Sequence, residues 1–288
     1  MTKEKEMKKI GLLFALIFVF FVSVSVSAPA EFYSPKPDGK YDNHVFLVDP
    51  QRFGVVALKN SVVRLENETE FEGPGGQKIP RVITGGGIVL GKYILTAMHV
   101  VVQRKLMAQT PFGWVELEAK KISEKNSAVL NGAKIVLTMI YTSKEDDIAV
   151  LKLPDGVSVP NFPYEIGNSD DLEVGNFVYI VGNPLNLGII IRPGLVSATE
   201  APKETEEVDG KSKNFFVLSG GIYTGDSGTP IVAVRDGRFE LVGISEGVFS
   251  NASQLGFAIR INVVRKIIGE CKACPDDLKN IFIKNKTR

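Results

Sequence analysis

The stretch GGIYTGDSGTPIV, residues 220–232, holds Ser227 between two glycines, directly before the apolar run Pro230–Val234. Glycines favour a tight turn, so an ordinary loop that enters a buried strand would explain this pattern. A serine held on such a turn can also act as a nucleophile, because neighbouring backbone N–H groups can face the oxyanion that forms. This second interpretation requires a base for the hydroxyl proton and an acid that orients the base.

Two histidines are available as the base, His44 and His99. His99 lies in YILTAMHVV, directly after the strand-like run Tyr93–Thr96, where a side chain can face a cleft, whereas His44 lies in a polar segment near the N-terminus. A serine hydroxyl is a poor nucleophile until a base takes its proton. We therefore expect His99 to be the base and His44 to be structural or merely exposed.

Asp147 opens the run DIAVLKL, so an acidic residue stands at the head of an apolar strand. A carboxylate that enters a core is costly without a partner, and an imidazole that needs an acceptor would supply one. Its neighbour Asp146 is expected to be exposed or to cap the turn. The chain thus offers a base, an acid and a nucleophile in the order His99, Asp147, Ser227.

Short apolar segments separated by turns follow one another beyond Gln51 and are typical of β-strands. A stretch rich in Pro, Gly and Asn, residues 154–167, divides them into two similar halves. One helical pattern, Asn262–Ile268, lies near the C-terminus, with Asn262 as a candidate N-cap. Many short strands and one terminal helix indicate an all-β protein of sandwich or barrel type. The strand segments are Gly87–Leu90, Tyr93–Thr96, Lys134–Leu137, Ile148–Leu151, Phe177–Val181, Leu195–Ser197, Phe215–Leu218, Ile231–Val234, Leu241–Ile244 and Gly256–Ile259.

Six strings between Gly85 and Asn262 carry a family resemblance: GGGIVLGKYILTAMHVV, DDIAVLKL, IGNSDDLEVGNFVYIVGNPLNLG, PGLVSA, GDSGTPIV and GFAIRIN. They resemble a trypsin-like serine protease, and within that group the HtrA/DegP protease domain. The order of the three candidate residues is likewise that of chymotrypsin.

The resemblance implies two six-stranded-type antiparallel β-barrels with the active site in the cleft between them. It places barrel 1 at about residues 51–155 and barrel 2 at about 165–262, in a domain over 51–270 followed by a C-terminal tail, residues 271–288.

The same resemblance assigns roles to individual residues. Ser227 would be the nucleophile, His99 the general base and acid, and Asp147 the residue that orients His99. The backbone N–H groups of Gly225 and Ser227 would form the oxyanion hole. The implied activity is that of a serine endopeptidase that acts on polypeptides and needs no metal or organic cofactor.

The primary substrate pocket is expected to be lined by Gly221 and Ile222 and by Ser245 and Gly247. Gly221 matches the position at which trypsin carries an acidic residue, so we expect small or medium apolar side chains to fit better than Lys or Arg. Glu246 could be an acid at the pocket edge or a solvated turn residue, and we favour the latter.

Two positions depart from the HtrA/DegP pattern, which usually has Asn where Asp226 stands and Gly where Thr229 stands. In digestive-type proteases this Asp pairs with a new N-terminal amine made by cleavage. We do not expect such a cleavage after Arg81, because Gly86-Gly87 already matches the strand that leads to His99. We therefore expect Asp226 to be held by backbone N–H groups or an internal Lys/Arg, or to remain solvated.

The N-terminus combines lysines, an apolar run and an Ala-x-Ala end, which describe a secretory signal peptide over residues 1–30. An uncleaved membrane anchor over Ile10–Ala28 is the alternative. Residues 31–50 would form a linker. Either alternative places the rest of the chain outside the cytoplasm, whether secreted, periplasmic or anchored to the outer face of the membrane.

Charge and cysteine content limit the remaining functions. The formal net charge of +1 gives no sign of a nucleic-acid partner. Cys271 and Cys274 are expected to form a local disulfide in an oxidising compartment. We expect the chain to lack the PDZ module of its relatives. The competing functions are a catalytically silent trypsin-like module that binds peptides and a structural cell-surface protein.

Overall fold

The computed structural model describes residues 38–43, 55–111, 113–203, 211–249 and 252–283. The predictions for residues 1–30 and for His44 lie outside these ranges. Within them, no helix is long and apolar enough to cross a membrane.

The N-terminal half of the described chain is built almost entirely of strands, with two short helices. The second helix, α2, begins directly after β3 and carries His99. The elements are α1 (Val55–Asn60), β1 (Val62–Glu72), β2 (Lys78–Leu90), β3 (Tyr93–Ala97), α2 (Met98–Val101), β4 (Leu106–Thr110), β5 (Gly113–Leu117), β6 (Lys120–Leu130), β7 (Ala133–Val136), β8 (Thr138–Ser143) and β9 (Ile148–Lys152).

The C-terminal half consists of strands followed by two helices. The elements are β10 (Glu165–Ile166), β11 (Phe177–Gly182), β12 (Ile190–Ala198), β13 (Phe215–Ser219), β14 (Pro230–Arg235), β15 (Arg238–Phe249), β16 (Ala252–Arg260), α3 (Ile261–Glu270) and α4 (Asp276–Ile283). Three single 3-10 turns connect them, at Ser169–Asp171, Pro184–Asn186 and Ser212–Asn214.

Each half contains one sheet of seven strands, and β4 and β5 of the first half pair as a separate two-stranded sheet. The first sheet has the order β7-β6-β1-β2-β3-β9-β8, and the second has the order β10-β15-β14-β11-β12-β13-β16. A further pairing of β15 with β16 closes strands β11 to β16 into a six-stranded barrel, and the short β10 adds to β15 in parallel. The predicted all-β fold with two antiparallel barrels is confirmed, although the first sheet has seven strands and not six.

The turn of the second half that carries Ser227 packs directly against strand β2 of the first half. The N–H of Gly86 donates to the carbonyl oxygen of Ser227 at 2.8 Å. A Cβ at Gly85 would lie 2.6 Å from the Val100 side chain and 2.9 Å from the Ser227 oxygen, and a Cβ at Gly86 would overlap Thr229. The glycines of β2 are therefore what allows the two halves to meet beside Ser227.

The C-terminal region differs from the sequence prediction in two ways. Helix α3 begins at Ile261 with Arg260 at the N-cap position, so Asn262 is not the N-cap; its N–H instead bonds to Ser169 Oγ at 3.1 Å. Part of the expected tail forms the helix α4, which buries Leu278 and Phe282 in the core. The predicted disulfide between Cys271 and Cys274 lies in the turn between the two helices.

Part of the expected linker also packs on the second barrel. The side chain of Tyr41 is 5% exposed, and its hydroxyl donates to Glu240 Oε2 at 2.8 Å. The guanidinium of Arg235 stacks on the Tyr41 ring, 4.0 Å from its centroid. Residues 38–43 thus contact the barrel and do not form a free linker.

Candidate active site

Three hydrogen bonds hold His99 against Asp147. The backbone N–H of Met98 donates to the Asp147 carbonyl oxygen at 2.9 Å. The backbone N–H of His99 donates to Asp147 Oδ1 at 2.9 Å, and the ring atom Nδ1 lies 2.6 Å from Oδ2. Asp147 adopts a φ of 52°, which is unfavourable for a non-glycine residue. The bonds to α2 therefore fix a strained aspartate at the point where β9 begins.

The electrostatic surroundings of His99 favour its protonated form. Burial lowers the pKa of the imidazole, but the hydrogen bond to Asp147 and the negative charges of Glu246 and Asp147 outweigh burial and raise the pKa to about 9. An imidazole with this pKa takes up a proton readily. It is neutral, and so able to act as a base, mainly above that pH.

The hydroxyl of Ser227 donates to the backbone oxygen of Glu246 at 3.0 Å. Among the described residues, no hydrogen bond joins this hydroxyl to the ring of His99. Catalytic hydrogen bonds are often long or misaligned without substrate and tighten in the complex. For Ser227 to act as a nucleophile activated by His99, its hydroxyl would have to exchange the Glu246 oxygen for the imidazole ring.

The turn before Ser227 leaves two backbone donors available. The N–H of Asp226 donates to the Tyr223 oxygen at 2.9 Å, and the N–H of Thr229 donates to the Asp226 oxygen at 3.1 Å. In contrast, the N–H groups of Gly225 and Ser227 donate to no group in the part of the chain that the structure describes. Gly225 has a φ of 99°, and a Cβ there would overlap the Asn183 oxygen. Only glycine fits this turn without strain.

Asp226 is fully buried beside the nucleophile and is bound by Arg192, a residue of β12. The Arg192 Nη2 atom lies 2.5 Å from Asp226 Oδ2, and the Tyr223 N–H donates to the same oxygen at 2.8 Å. Burial still raises the pKa of Asp226 above its ordinary value, although both partners act to lower it. The expectation of an internal Lys/Arg and backbone donors is confirmed.

Arg192 also connects this ion pair to the expected substrate pocket. Its Nη1 atom donates to the Gly221 oxygen at 2.8 Å, and its guanidinium lies 5.1 Å from the centroid of the Tyr223 ring. Arg192 is a site residue that we did not predict from the sequence. The available signal was one arginine inside the apolar run Ile189–Val196, because a charge there requires a partner.

Glu246 is not the solvated turn residue that we expected. The pairing of β15 with β16 shifts between Ser245 and Gly247, so Glu246 is the extra residue of a β-bulge. Its side chain is 16% exposed, and its Oε1 lies 3.9 Å from His99 Nδ1. Burial and the charge and hydrogen bonding of Asp147 raise the pKa of Glu246 to about 7, although His99 acts to lower it. The carboxyl therefore belongs to the site.

The expected pocket residues lie near the catalytic turn, and two of them are buried. Ile222 is 2% exposed and belongs to the core of the second barrel, and Ser245 is fully buried. Gly221 adopts a φ of 70°, with the Tyr223 ring about 3 Å from where its Cβ would lie. Gly247 lies against the ring of Phe257. In this structure Ile222 and Ser245 are therefore core residues and not exposed lining of a pocket.

Metal binding at this site would compete with the catalytic hydrogen bond. Within the described ranges, His99, Asp147 and Glu246 are the His/carboxylate group whose ligand atoms all lie within 4.8 Å of one another. Because His99 Nδ1 is already bonded to Asp147 at 2.6 Å, a cation would have to replace this bond. The arrangement suits proton transfer better than metal coordination.

Comparison with known proteins gives one family. The family model described as "Trypsin-like peptidase domain" matches residues 82–244, more than half of the chain, including His99, Asp147 and Ser227. Asp226 also lies inside the matched range, whereas Glu246 lies beyond it.

Two relatives and one solved structure illustrate the similarity. A putative serine protease HhoB from Synechocystis is 28% identical over 206 residues, which cover 70% of this chain and 41% of the relative. A probable periplasmic serine endoprotease, DegP-like, from Buchnera aphidicola is 26% identical over 91% of this chain and 57% of its own length. The chain thus spans about half of such relatives. The HtrA-type protease AlgW with tripeptide has a TM-score of 0.52 at 21% identity, covering 74% of this chain and 60% of that chain.

Proposed function

Because this chain belongs to the trypsin-like peptidase family, we propose that it is a serine endopeptidase that uses His99, Asp147 and Ser227. The observation that carries the proposal is the pairing of His99 Nδ1 with Asp147 Oδ2 at 2.6 Å, beside a serine turn with two available N–H groups. A bonded Nδ1 leaves Nε2 as the atom that accepts the serine proton.

The reaction proceeds in two halves. Ser227 Oγ attacks the carbonyl carbon of the peptide bond while His99 Nε2 takes the hydroxyl proton. The resulting oxyanion accepts hydrogen bonds from the N–H groups of Gly225 and Ser227. His99 then gives its proton to the leaving amine, and the C–N bond breaks to leave an ester on Ser227. A water molecule, deprotonated by His99, attacks this ester and releases the carboxylic acid and the serine hydroxyl.

Asp147 contributes through His99 and does not itself become protonated. Its carboxylate accepts both the ring Nδ1–H and the backbone N–H of His99, so it fixes the tautomer and the ring orientation. It also stabilises the imidazolium that forms in each half of the reaction.

We propose polypeptides as substrates and a location outside the cytoplasm. The support is that a relative is named a periplasmic endoprotease and that an HtrA-type neighbour was solved with a tripeptide. The N-terminal segment, as a signal peptide over 1–30 or an anchor over Ile10–Ala28, would deliver the protease domain proposed over residues 51–270. The PDZ module of the relatives is not part of this proposal.

A catalytically silent module that binds peptides is the second candidate. The observation that favours it is the Ser227 hydroxyl, which bonds to the Glu246 oxygen and not to His99. Turnover of casein by the purified protein and by Ser227→Ala separates the two. We expect turnover only with Ser227 present; equal turnover by both proteins contradicts the triad, and turnover by neither supports the silent module.

A further inference from the structure

Glu246 lies beside every member of the proposed triad. Its backbone oxygen accepts the Ser227 hydroxyl at 3.0 Å, and its Oε1 lies 3.9 Å from His99 Nδ1. A carboxyl oxygen of Glu246 also lies within 4.8 Å of one of Asp147. The β-bulge explains this position, because an extra residue in one strand re-aims its side chain out of the regular alternation. Bulges are frequent beside active sites for this reason.

The pair of carboxyl groups determines what Glu246 can do. The side chains of Asp147 and Glu246 are 19% and 16% exposed, so neither charge is well solvated. Their ligand atoms lie within 4.8 Å of each other, and two carboxylates at this separation ionise together only at a cost. Burial and the neighbouring Asp147 raise the pKa of Glu246 to about 7. Glu246 therefore holds a proton below this pH and loses it above.

We propose that Glu246 is a positioning residue of this site: when neutral it donates a hydrogen bond to the Asp147 carboxylate, and once ionised it holds His99 in its protonated form. As a neutral acid, its O–H restrains the carboxylate that orients the imidazole. When the proton leaves to solvent, a second negative charge faces the ring. The effect of Glu246 on activity, but not its effect on the pKa of His99, rests on the proposed function.

Among the described residues, few charged groups act on His99 and Glu246. Asp147, at the start of β9, and Glu246, in β15, are the charged groups that act on His99. The groups that act on Glu246 are His99 and Asp147. The set is thus two acids and one imidazole, and removing one acid changes the pKa of the imidazole in a known direction.

The direction in which the His99 pKa changes follows from the charge of Glu246. A nearby anion favours the charged form of histidine and raises its pKa, so the Glu246→Gln variant must have a lower His99 pKa. Glutamine keeps the size of the side chain and can still donate a hydrogen bond to Asp147, but it cannot ionise. We expect the pKa of His99 to fall by about one unit or more.

The direct test is NMR titration of the imidazole in Ser227→Ala protein, which cannot digest itself through the proposed mechanism. Only His44 and His99 occur in the chain, so a His44→Gln variant assigns the signals. The comparison is Ser227→Ala against Ser227→Ala/Glu246→Gln, in buffer with EDTA. The matched control is Glu173→Gln, since this glutamate lies on an exposed loop and is paired only loosely with Lys40, at 3.9 Å.

The proposal expects a lower His99 pKa in the Glu246 variant and an unchanged one in the Glu173 control. An unchanged pKa in a folded Glu246→Gln protein overturns it, as does an equal shift in the control. Should Glu246→Gln not fold, Glu246→Ala replaces it with the same expected direction.

Activity gives an independent measure. In the active enzyme, kcat/KM should rise toward alkaline pH as His99 loses its proton. In Glu246→Gln this rise should lie about one pH unit lower. The value of kcat/KM at pH 7, as a fraction of its alkaline plateau, should then be about tenfold higher than in the unaltered enzyme. The shift of the His99 pKa and the presence of peptidase activity are tested independently. A lower pKa in a protein with no activity at any pH overturns the proposed function but not the coupling. An active enzyme with an unmoved His99 pKa and an unmoved profile overturns the coupling alone.

Discussion

The guanidinium of Arg192 lies 2.5 Å from the carboxylate of Asp226, which is fully buried directly before Ser227. The cation comes from β12 of the same chain, so the buried charge is paired without any new chain terminus. Because Arg192 also bonds to the Gly221 oxygen, one side chain joins the catalytic turn to the expected pocket. The turn is therefore assembled by folding alone.

Replacement of Arg192 by Met should destabilise the protein by about 3–5 kcal/mol, because it leaves an uncompensated buried carboxylate. Denaturant unfolding measures this loss, and kcat/KM should fall with it. The double variant Arg192→Met/Asp226→Asn removes both charges and should recover most of the stability. Equal stability of Arg192→Met and the unaltered protein would show that this ion pair contributes nothing.

Arg81→Gln should leave peptidase activity intact. Arg81 pairs with Thr69, and Val82 pairs with Glu68, inside the long hairpin of β1 and β2. Cleavage of the bond between Arg81 and Val82 would therefore cut a paired strand. N-terminal sequencing of active enzyme should not begin at Val82. A silent Arg81→Gln protein that becomes active only when another protease exposes Val82 would identify a zymogen instead.

Gly225→Ala should lower kcat by about 10²–10³, the usual cost of losing one oxyanion donor. The added methyl would overlap the Asn183 oxygen and would force the turn away from its φ of 99°. Steady-state kinetics on a peptide substrate measure the change. The control is Gly91→Ala, a glycine that also has positive φ but has open space around it. Similar losses of kcat in both variants would mean that backbone strain, and not the oxyanion hole, is responsible.

Phe282→Ala should destabilise the protein by about 3–5 kcal/mol, as expected for truncation of a buried aromatic side chain. Phe282 is 1% exposed and belongs to the main core. The control is Ile283→Ala in the same helix, 54% exposed, which should change stability by less than about 0.5 kcal/mol. A negligible effect of both substitutions would show that α4 does not pack on the barrel.

The site residues that could be predicted from the sequence are those marked by a pattern of adjacent residues. His99 after an apolar strand, Asp147 at the head of another and Ser227 on a glycine turn each carry their own pattern. Their pairing at 2.6 Å then follows from the fold. The strands of the second barrel were also readable, because their apolar runs are continuous.

The residues that were missed depend on contacts distant in sequence. Glu246 reaches His99 because of a bulge between β15 and β16, and register shifts have no local signature. Strand β6, Lys120–Leu130, was missed because its exposed first half is polar and shows no apolar run. Helix α4 did have a signal, since Pro275 and Asp276 precede an amphipathic run, but the run is short.

We propose that Ser227 is a nucleophile activated by His99. A fluorophosphonate reacts covalently with such a serine, and peptide mapping of the labelled protein identifies the residue that carries the adduct. We predict one adduct, on Ser227, which is lost in Ser227→Ala and strongly reduced in His99→Ala but retained in His44→Ala. An absence of label on folded protein, or an adduct that persists in Ser227→Ala, would contradict the account.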